Sequence, residues 1–307
     1  MLSVAAVGEC MIEFAPDGRG GWQMGFAGDT FNTLWTLRAL LPGDAQVQYI
    51  SAFGDDDFSR RQMAFFGEHG IGVAESPCLP GGRPGLYAIS LNGAERSFTY
   101  WRSDSAARHL ADDRDLLERR LVGRHLIYFS GITLAILPPP NRPLFTAAIA
   151  TARASGARIA FDPNYRARLW ETPEAAKSEI GNAAAHADIV LPTFDDERNL
   201  FGDPTPAQTA ERLTAAGVQE CVIKNGAQPA LLCVNGKIDA VPAIADVQAV
   251  DTSGAGDAFN GGYLAARLLG REPPVAARLA HQIAASAVGV RGALTPVELL
   301  RKAFATA

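Results

Sequence analysis

One heptapeptide in this sequence has the residue types to handle a phosphate: Asp251-Thr252-Ser253-Gly254-Ala255-Gly256-Asp257. Two glycines flank an alanine, and the small-residue run Ala258-Phe259-Asn260-Gly261-Gly262-Tyr263-Leu264 follows at once and reads as a helix. Small side chains let an anion approach the backbone. The N–H groups of a first helical turn, at the positive end of the helix dipole, supply the attraction. In that geometry the Asp257 carboxylate could accept a proton from a hydroxyl held beside the phosphate. The competing account is an aspartate that only caps the helix, worth about 0.3 to 1 kcal/mol on the dipole.

Other residues join this chemistry by type and position. Lys224, at the end of an apolar run and followed by Asn225 and Gly226, can reach a phosphate from a glycine turn, and Thr252 is a second nucleotide-side candidate. In the extended run around Ser97 to Arg102, side chains alternate, so Tyr100 and Arg102 share a face. Arg102 can offer a planar fork to a carboxylate, with Tyr100 beside it and Tyr87 completing the wall from a neighbouring run; pairing with Asp104 is the alternative. Arg166 follows a strand and the turn Asp162-Pro163-Asn164, where open α/β sheets place ligand loops; a salt bridge to Asp162 or Glu171 is the alternative there. Asn164 is placed near a phosphate or a metal-bound water.

The elements that must position these residues follow from the hydrophobic pattern. Short apolar runs (Leu2 to Val7, Val47 to Ala52, Leu126 to Ser130, Arg158 to Asp162, Ile189 to Leu191, Cys221 to Lys224) alternate with helix-like stretches such as Thr30 to Leu41, Phe58 to His69, Pro143 to Ala154 and Pro206 to Ala216. That alternation buries a mainly parallel sheet between helices. After Gly254 the chain reads as helical almost to its end. Gly85 to Leu91 and Ser97 to Arg102, joined at Asn92-Gly93, read as a hairpin. With Gly21 to Phe26 they form a small antiparallel lid, unless they are an edge hairpin of the main sheet. The expectation is one domain over 1–307, with lid strands drawn from about 10–26 and 84–103.

Composition narrows the partners. With 48% apolar and 20% charged residues and a formal charge of −5, the chain is of ordinary globular type, without a basic block to hold nucleic acid or an anionic membrane. Cys10, Cys78, Cys221 and Cys233 lack metal or redox spacing, and His69, His109, His125, His186 and His281 form no set. The beginning has no basic n-region and is interrupted by Glu9, so it reads as a first buried strand, and a cytoplasmic protein with small-molecule ligands is expected.

The heptapeptide resembles the C-terminal signature of the ribokinase-like (PfkB) carbohydrate kinases, and Gly25-Phe26-Ala27-Gly28-Asp29-Thr30-Phe31-Asn32 is similar to that family's N-terminal sugar site. The two lie in the family's order and bracket nearly the whole chain. The resemblance implies a three-layer ribokinase-like fold and ATP with Mg2+ as cosubstrate, and leaves potassium dependence open. It makes Asp257 the catalytic base, and Gly254, Ala255 and Gly256 the anion hole. Gly28, Asp29 and Asn32 become sugar contacts, and Arg166 reaches both substrate and transferring phosphate. Segments such as Gly8 to Glu13, Pro84 to Tyr87, Glu95 to Arg102, Ser130 to Leu137 and Phe161 to Arg166 resemble the branch that phosphorylates 2-keto-3-deoxygluconate, which implies transfer to the 6-hydroxyl of a six-carbon keto acid. A fructokinase or nucleoside kinase of the same family is the first alternative and a non-catalytic sensor the second. One departure stands out: where many relatives carry Asn-x-x-Glu, this chain has Thr193-Phe194-Asp195-Asp196. Asp196 then becomes a candidate to act on magnesium through water, or part of an acidic first helical turn. Pairing of two copies through the lid is the expected route to any homo-oligomer.

Overall fold

The computed structural model describes residues 1–92 and 95–305. Its strands in chain order are β1 (Ser3–Val7), β2 (Met11–Pro16), β3 (Trp22–Ala27), β4 (Gln46–Ile50), β5 (Phe53–Gly54), β6 (Cys78–Leu79), β7 (Leu86–Asn92), β8 (Glu95–Trp101), β9 (Leu126–Ser130), β10 (Arg158–Asp162), β11 (Ile189–Val190), β12 (Glu220–Ile223), β13 (Ala230–Val234) and β14 (Lys237–Val241). Eight of them form the main sheet in the order β14-β13-β12-β11-β10-β9-β1-β4. The pairings from β4 to β12 are parallel and the last two are antiparallel.

Burial on both faces explains why these strands read as unbroken apolar runs. In β1, Val4 and Ala6 enter one core while Ala5 and Val7 enter the other, as strand alternation requires. The first core is closed by helices Asp29–Leu40, Ala255–Leu268, Pro273–Val288 and Val297–Ala305. The second is closed by helices such as Arg142–Ala154, Pro173–Ala185 and Pro206–Ala215. Thr172 and Thr205 cap the latter two by accepting from Ala175 and Gln208 backbone N–H groups, each with proline in the first turn.

β3, β2, β7 and β8 make a separate sheet, as expected of a lid. Its two outer pairings are antiparallel, and the central β2–β7 pairing is parallel. The strand Met11–Pro16, which the sequence reading included only within a range, is its spine. The expected turn at Asn92-Gly93 lies partly outside the described residues.

Helices Asp29–Leu40 and Ala255–Leu268 must approach closely, because their N-terminal ends both feed the same site. A Cβ on Gly261 would lie 2.5 Å from Thr36 Cβ and 2.7 Å from the Thr33 carbonyl oxygen. Gly261→Ala should therefore destabilise the fold by about 1–3 kcal/mol from overpacking, outweighing the roughly 1 kcal/mol that alanine gains in a helix. A calorimetric midpoint equal to or above that of the parent would refute this packing argument.

Candidate active site

The turn expected to serve as the anion hole lies at the head of helix Ala255–Leu268. Gly254 is its N-cap at φ +70°, a left-handed conformation that favours glycine. A Cβ there would also lie 2.6 Å from the Ala293 carbonyl oxygen. Asp251 builds the turn: one carboxylate oxygen accepts from Ser253 N–H at 2.9 Å, and the other from Gly292 N–H at 2.8 Å. Ala255 N–H makes a long bond to the Thr252 carbonyl, 3.3 Å. By helix geometry the next N–H groups, of Gly256 and Asp257, have no acceptor within the helix.

Asp257 stands in that first turn, its Oδ2 accepting from Asn32 Nδ2 at 2.8 Å. Asn32 is fixed in turn, because its Oδ1 accepts from Gly28 N–H at 3.2 Å. Gly28 has a steric reason to be glycine: a Cβ would lie 2.2 Å from the Glu9 carbonyl oxygen. Burial and the neighbouring Asp29 carboxylate, with Asp162 behind it, push the Asp257 carboxyl up to about 7, against the lowering effect of Asn32 and Lys224. Burial likewise raises Asp29, which Asn164 partly offsets by donating to its Oδ2 at 2.8 Å.

Two cavities meet at this turn. One, of about 350 Å³, lies beneath the lid and is lined by Gly28, Asp29, Asn32, Tyr87, Tyr100, Arg102, Asn164, Arg166 and Asp257. The other, of about 420 Å³, carries Asn225 and Gly226 at one end and Ile244, Val247, Phe259, Ala284, Ala285 and Val288 along an apolar wall. Thr193, Lys224, Thr252 and Gly256 line both. The apolar slot leading to bare amides suits a flat base joined to phosphates.

The structure gives several expected residues different partners. Arg102 pairs with the buried Glu9 carboxylate, and it is Arg83 that takes the exposed Asp104. Arg166 contacts neither Asp162 nor Glu171 but Asp196, at 3.1 Å, while Glu171 pairs with Arg142 at 2.8 Å. Asp196 is therefore engaged by a cation, and among the described residues no group of three or more His, Cys, Asp or Glu side chains could hold a metal. Lys224, expected to reach out to phosphate, donates to Asp162 at 2.7 Å and to Asn260 at 2.9 Å. Asn164, expected on the nucleotide side, lines the cavity beneath the lid. Tyr87 and Tyr100 do face each other in register, with ring centres 5.7 Å apart, and the Tyr87 hydroxyl donates to Glu13.

Glu9, Glu13, Asp162 and Asn260 were given no site role from sequence. Glu9 was the one available signal, a carboxylate interrupting an otherwise apolar buried run.

A family description, "pfkB family carbohydrate kinase", matches residues 1–299. The chain belongs to that family. Curated relatives include the 2-dehydro-3-deoxygluconokinase of Dickeya dadantii (strain 3937), 38% identical over 97% of this chain and 98% of the relative. That of Escherichia coli (strain K12) is 35% identical over the same shares. Among solved structures, a PfkB protein from Polaromonas sp. JS666 superimposes with a TM-score of 0.84 at 28% identity, covering 97% of this chain and 99% of the other. The fold is that of the ribokinase-like kinases, with a small four-stranded sheet beside the main one.

If Asn32 holds the Asp257 carboxylate in its ionised form, removing the amide raises the carboxyl further. A carbon-13 NMR titration should place the Asp257 midpoint near pH 7, and Asn32→Ala should move it upward by roughly half a unit or more. A downward shift would contradict the assignment.

Proposed function

We propose that this pfkB kinase transfers the γ-phosphoryl group of ATP to the 6-hydroxyl of 2-keto-3-deoxygluconate, with Asp257 as the base. The observation that carries this reading is the meeting of the two cavities at Lys224, Thr252 and Gly256, with Asp257 lining the one beneath the lid. A nucleotide lying in the apolar slot would end its phosphates at the first turn of helix Ala255–Leu268. A sugar acid beneath the lid would bring its terminal hydroxyl to the Asp257 carboxylate. The new bond joins O6 to the γ-phosphorus as the bond to the bridging oxygen of ADP breaks, and the hydroxyl proton passes to Asp257.

Each step has a physical source in this chain. A carboxyl near 7 is matched to neutral pH, ionised often enough to accept and basic enough to help. The bare amides of Gly256 and Asp257 and the helix dipole compensate charge on the transferring oxygens. Lys224 lies between the cavities, its Nζ 3.9 Å from where a Cβ on Gly256 would stand. Relatives named 2-dehydro-3-deoxygluconokinase support the choice of acceptor, and the arginines beneath the lid suit an acid over a neutral sugar. An Escherichia coli ribokinase II of the same fold is described in complex with ATP and Mg2+. Here magnesium would be held chiefly by the nucleotide's own phosphates and by water, since Asp196 is committed to Arg166.

Two lids pressed together would cover Trp22 and Trp101, 52% and 57% exposed, and a dimer of this kind belongs to the same reading. Light scattering should give twice the 32.5 kDa chain mass, and Trp101→Ser should shift it toward one; a monomeric parent would dismiss it.

An ADP-release assay over 2-keto-3-deoxygluconate, fructose and a nucleoside should favour the keto acid in kcat/KM, and better turnover of a neutral acceptor would overturn the substrate. Asp257→Asn should lower kcat at least about a hundredfold. It should also stabilise the protein. With its folded pKa raised above the unfolded value, Asp257 favours folding most at low pH, and that contribution is lost as pH rises from near 4 through about 7. The asparagine variant should thus gain most in Tm at pH 8 and little at pH 4; unchanged turnover would remove Asp257 from the chemistry.

A further inference from the structure

Asn260 is fully buried, on helix Ala255–Leu268 one turn beyond Gly256 and Asp257 and on the same face. Its Oδ1 accepts from Lys224 Nζ at 2.9 Å. Its Nδ2 donates to Asp162 Oδ2 at 2.7 Å and to the Tyr128 hydroxyl at 3.1 Å. Lys224 Nζ donates to the same Asp162 oxygen at 2.7 Å, and the other oxygen of Asp162 accepts from Asn164 N–H at 3.1 Å. A lysine only donates and a carboxylate only accepts, so the amide closes this ring in one orientation alone.

An ammonium has three N–H groups. Two of those on Lys224 are engaged inside the ring, and among the described residues the third has no acceptor. The Lys224 side chain is 9% exposed and lines both cavities, so the third N–H is left for the place where they meet. Asp162 offsets most of the charge, and at a distance the pair attracts an anion little. What remains is one directed donor. With Asp162 as its only acceptor the ammonium could turn about that bond; the second acceptor, Asn260 Oδ1, sets its direction.

We propose that Asn260 is a positioning residue for phosphoryl transfer: by holding Lys224 against Asp162, it directs the remaining N–H at the oxygen that bridges the β- and γ-phosphorus atoms of ATP. As the bond from that oxygen to the γ-phosphorus breaks, the electron pair stays on ADP and negative charge grows on the oxygen. Lys224 keeps its proton throughout. A donor already oriented there lowers the barrier more than it tightens the binding of ATP. This inference rests on the phosphoryl-transfer reading above and needs no particular acceptor.

A double-mutant cycle in steady-state kinetics tests it, on the acceptor that the ADP-release assay ranks first. Asn260→Ala should lower kcat about 10- to 100-fold, with the KM values for ATP and acceptor held within about threefold. The variant Asp162→Asn/Lys224→Met removes the buried pair together, avoiding a stranded charge. Adding Asn260→Ala to it should lower kcat by less than about threefold more, because the group through which Asn260 acts is gone. A residue that only supports packing would lower kcat by the same factor in both backgrounds; that result, or a raised KM for ATP with kcat unchanged, overturns the assignment. Asn260→Ser, which loses less volume, answers the same question where the alanine chain melts below the assay temperature. A parent that prefers a neutral acceptor overturns the keto-acid reading alone, and one that transfers nothing from ATP overturns both.

Discussion

Three aspartates, Asp29, Asp162 and Asp257, come together at one end of the sheet, and their mutual repulsion is the constraint around which the site is built. Each is held by a donor from a different element: Asp257 by Asn32, Asp29 by Asn164, and Asp162 by Lys224 and Asn260. Asn260 also donates to the Tyr128 hydroxyl on β9, so the central strands and the helix Ala255–Leu268 are tied through one amide. Removing one partner of a buried pair such as Asp162–Lys224 costs about 3–5 kcal/mol. The arrangement is therefore rigid for energetic reasons, and burial, together with the repulsion of Asp29 and Asp162, raises the Asp257 carboxyl to about 7.

The lid is coupled to this end of the sheet by packing. Met11, Ala27, Tyr87 and Ile89 form their own small cluster, against which Tyr100 and Ala293 pack. The Ala293 carbonyl in turn closes on Gly254. The inner wall of the cavity beneath the lid and the turn at Gly254 thus share one neighbour.

The sequence made the fold legible wherever a strand is buried on both faces or a helix follows it with a full period. Leu126–Ser130 and Arg158–Asp162 match their apolar runs end to end, and helix Pro206–Ala215 differs from expectation by one residue. Of the antiparallel edge, β14 is mostly exposed and its pattern is weak, whereas β13, Ala230–Val234, is a short apolar run that went unread. The site was legible where backbone carries the role, as at Gly28 and Gly254, whose surroundings admit no side chain. It was less so where a charge finds its partner through space. Arg102 lies more than ninety positions from Glu9, and nothing in local spacing distinguishes Glu9 from Asp104 as its counter-ion.

That difference has a physical cause. Glycine positions are fixed by excluded volume, a short-range property that a motif of adjacent residues can encode. Ion pairs are fixed by which side chains the topology brings within a few ångströms, and by the cost of leaving a buried charge unmatched. Glu9 sits between β1 and the spine of the lid, so burying it obliges a cation to come from the lid sheet, and Arg102 at the end of β8 is in reach.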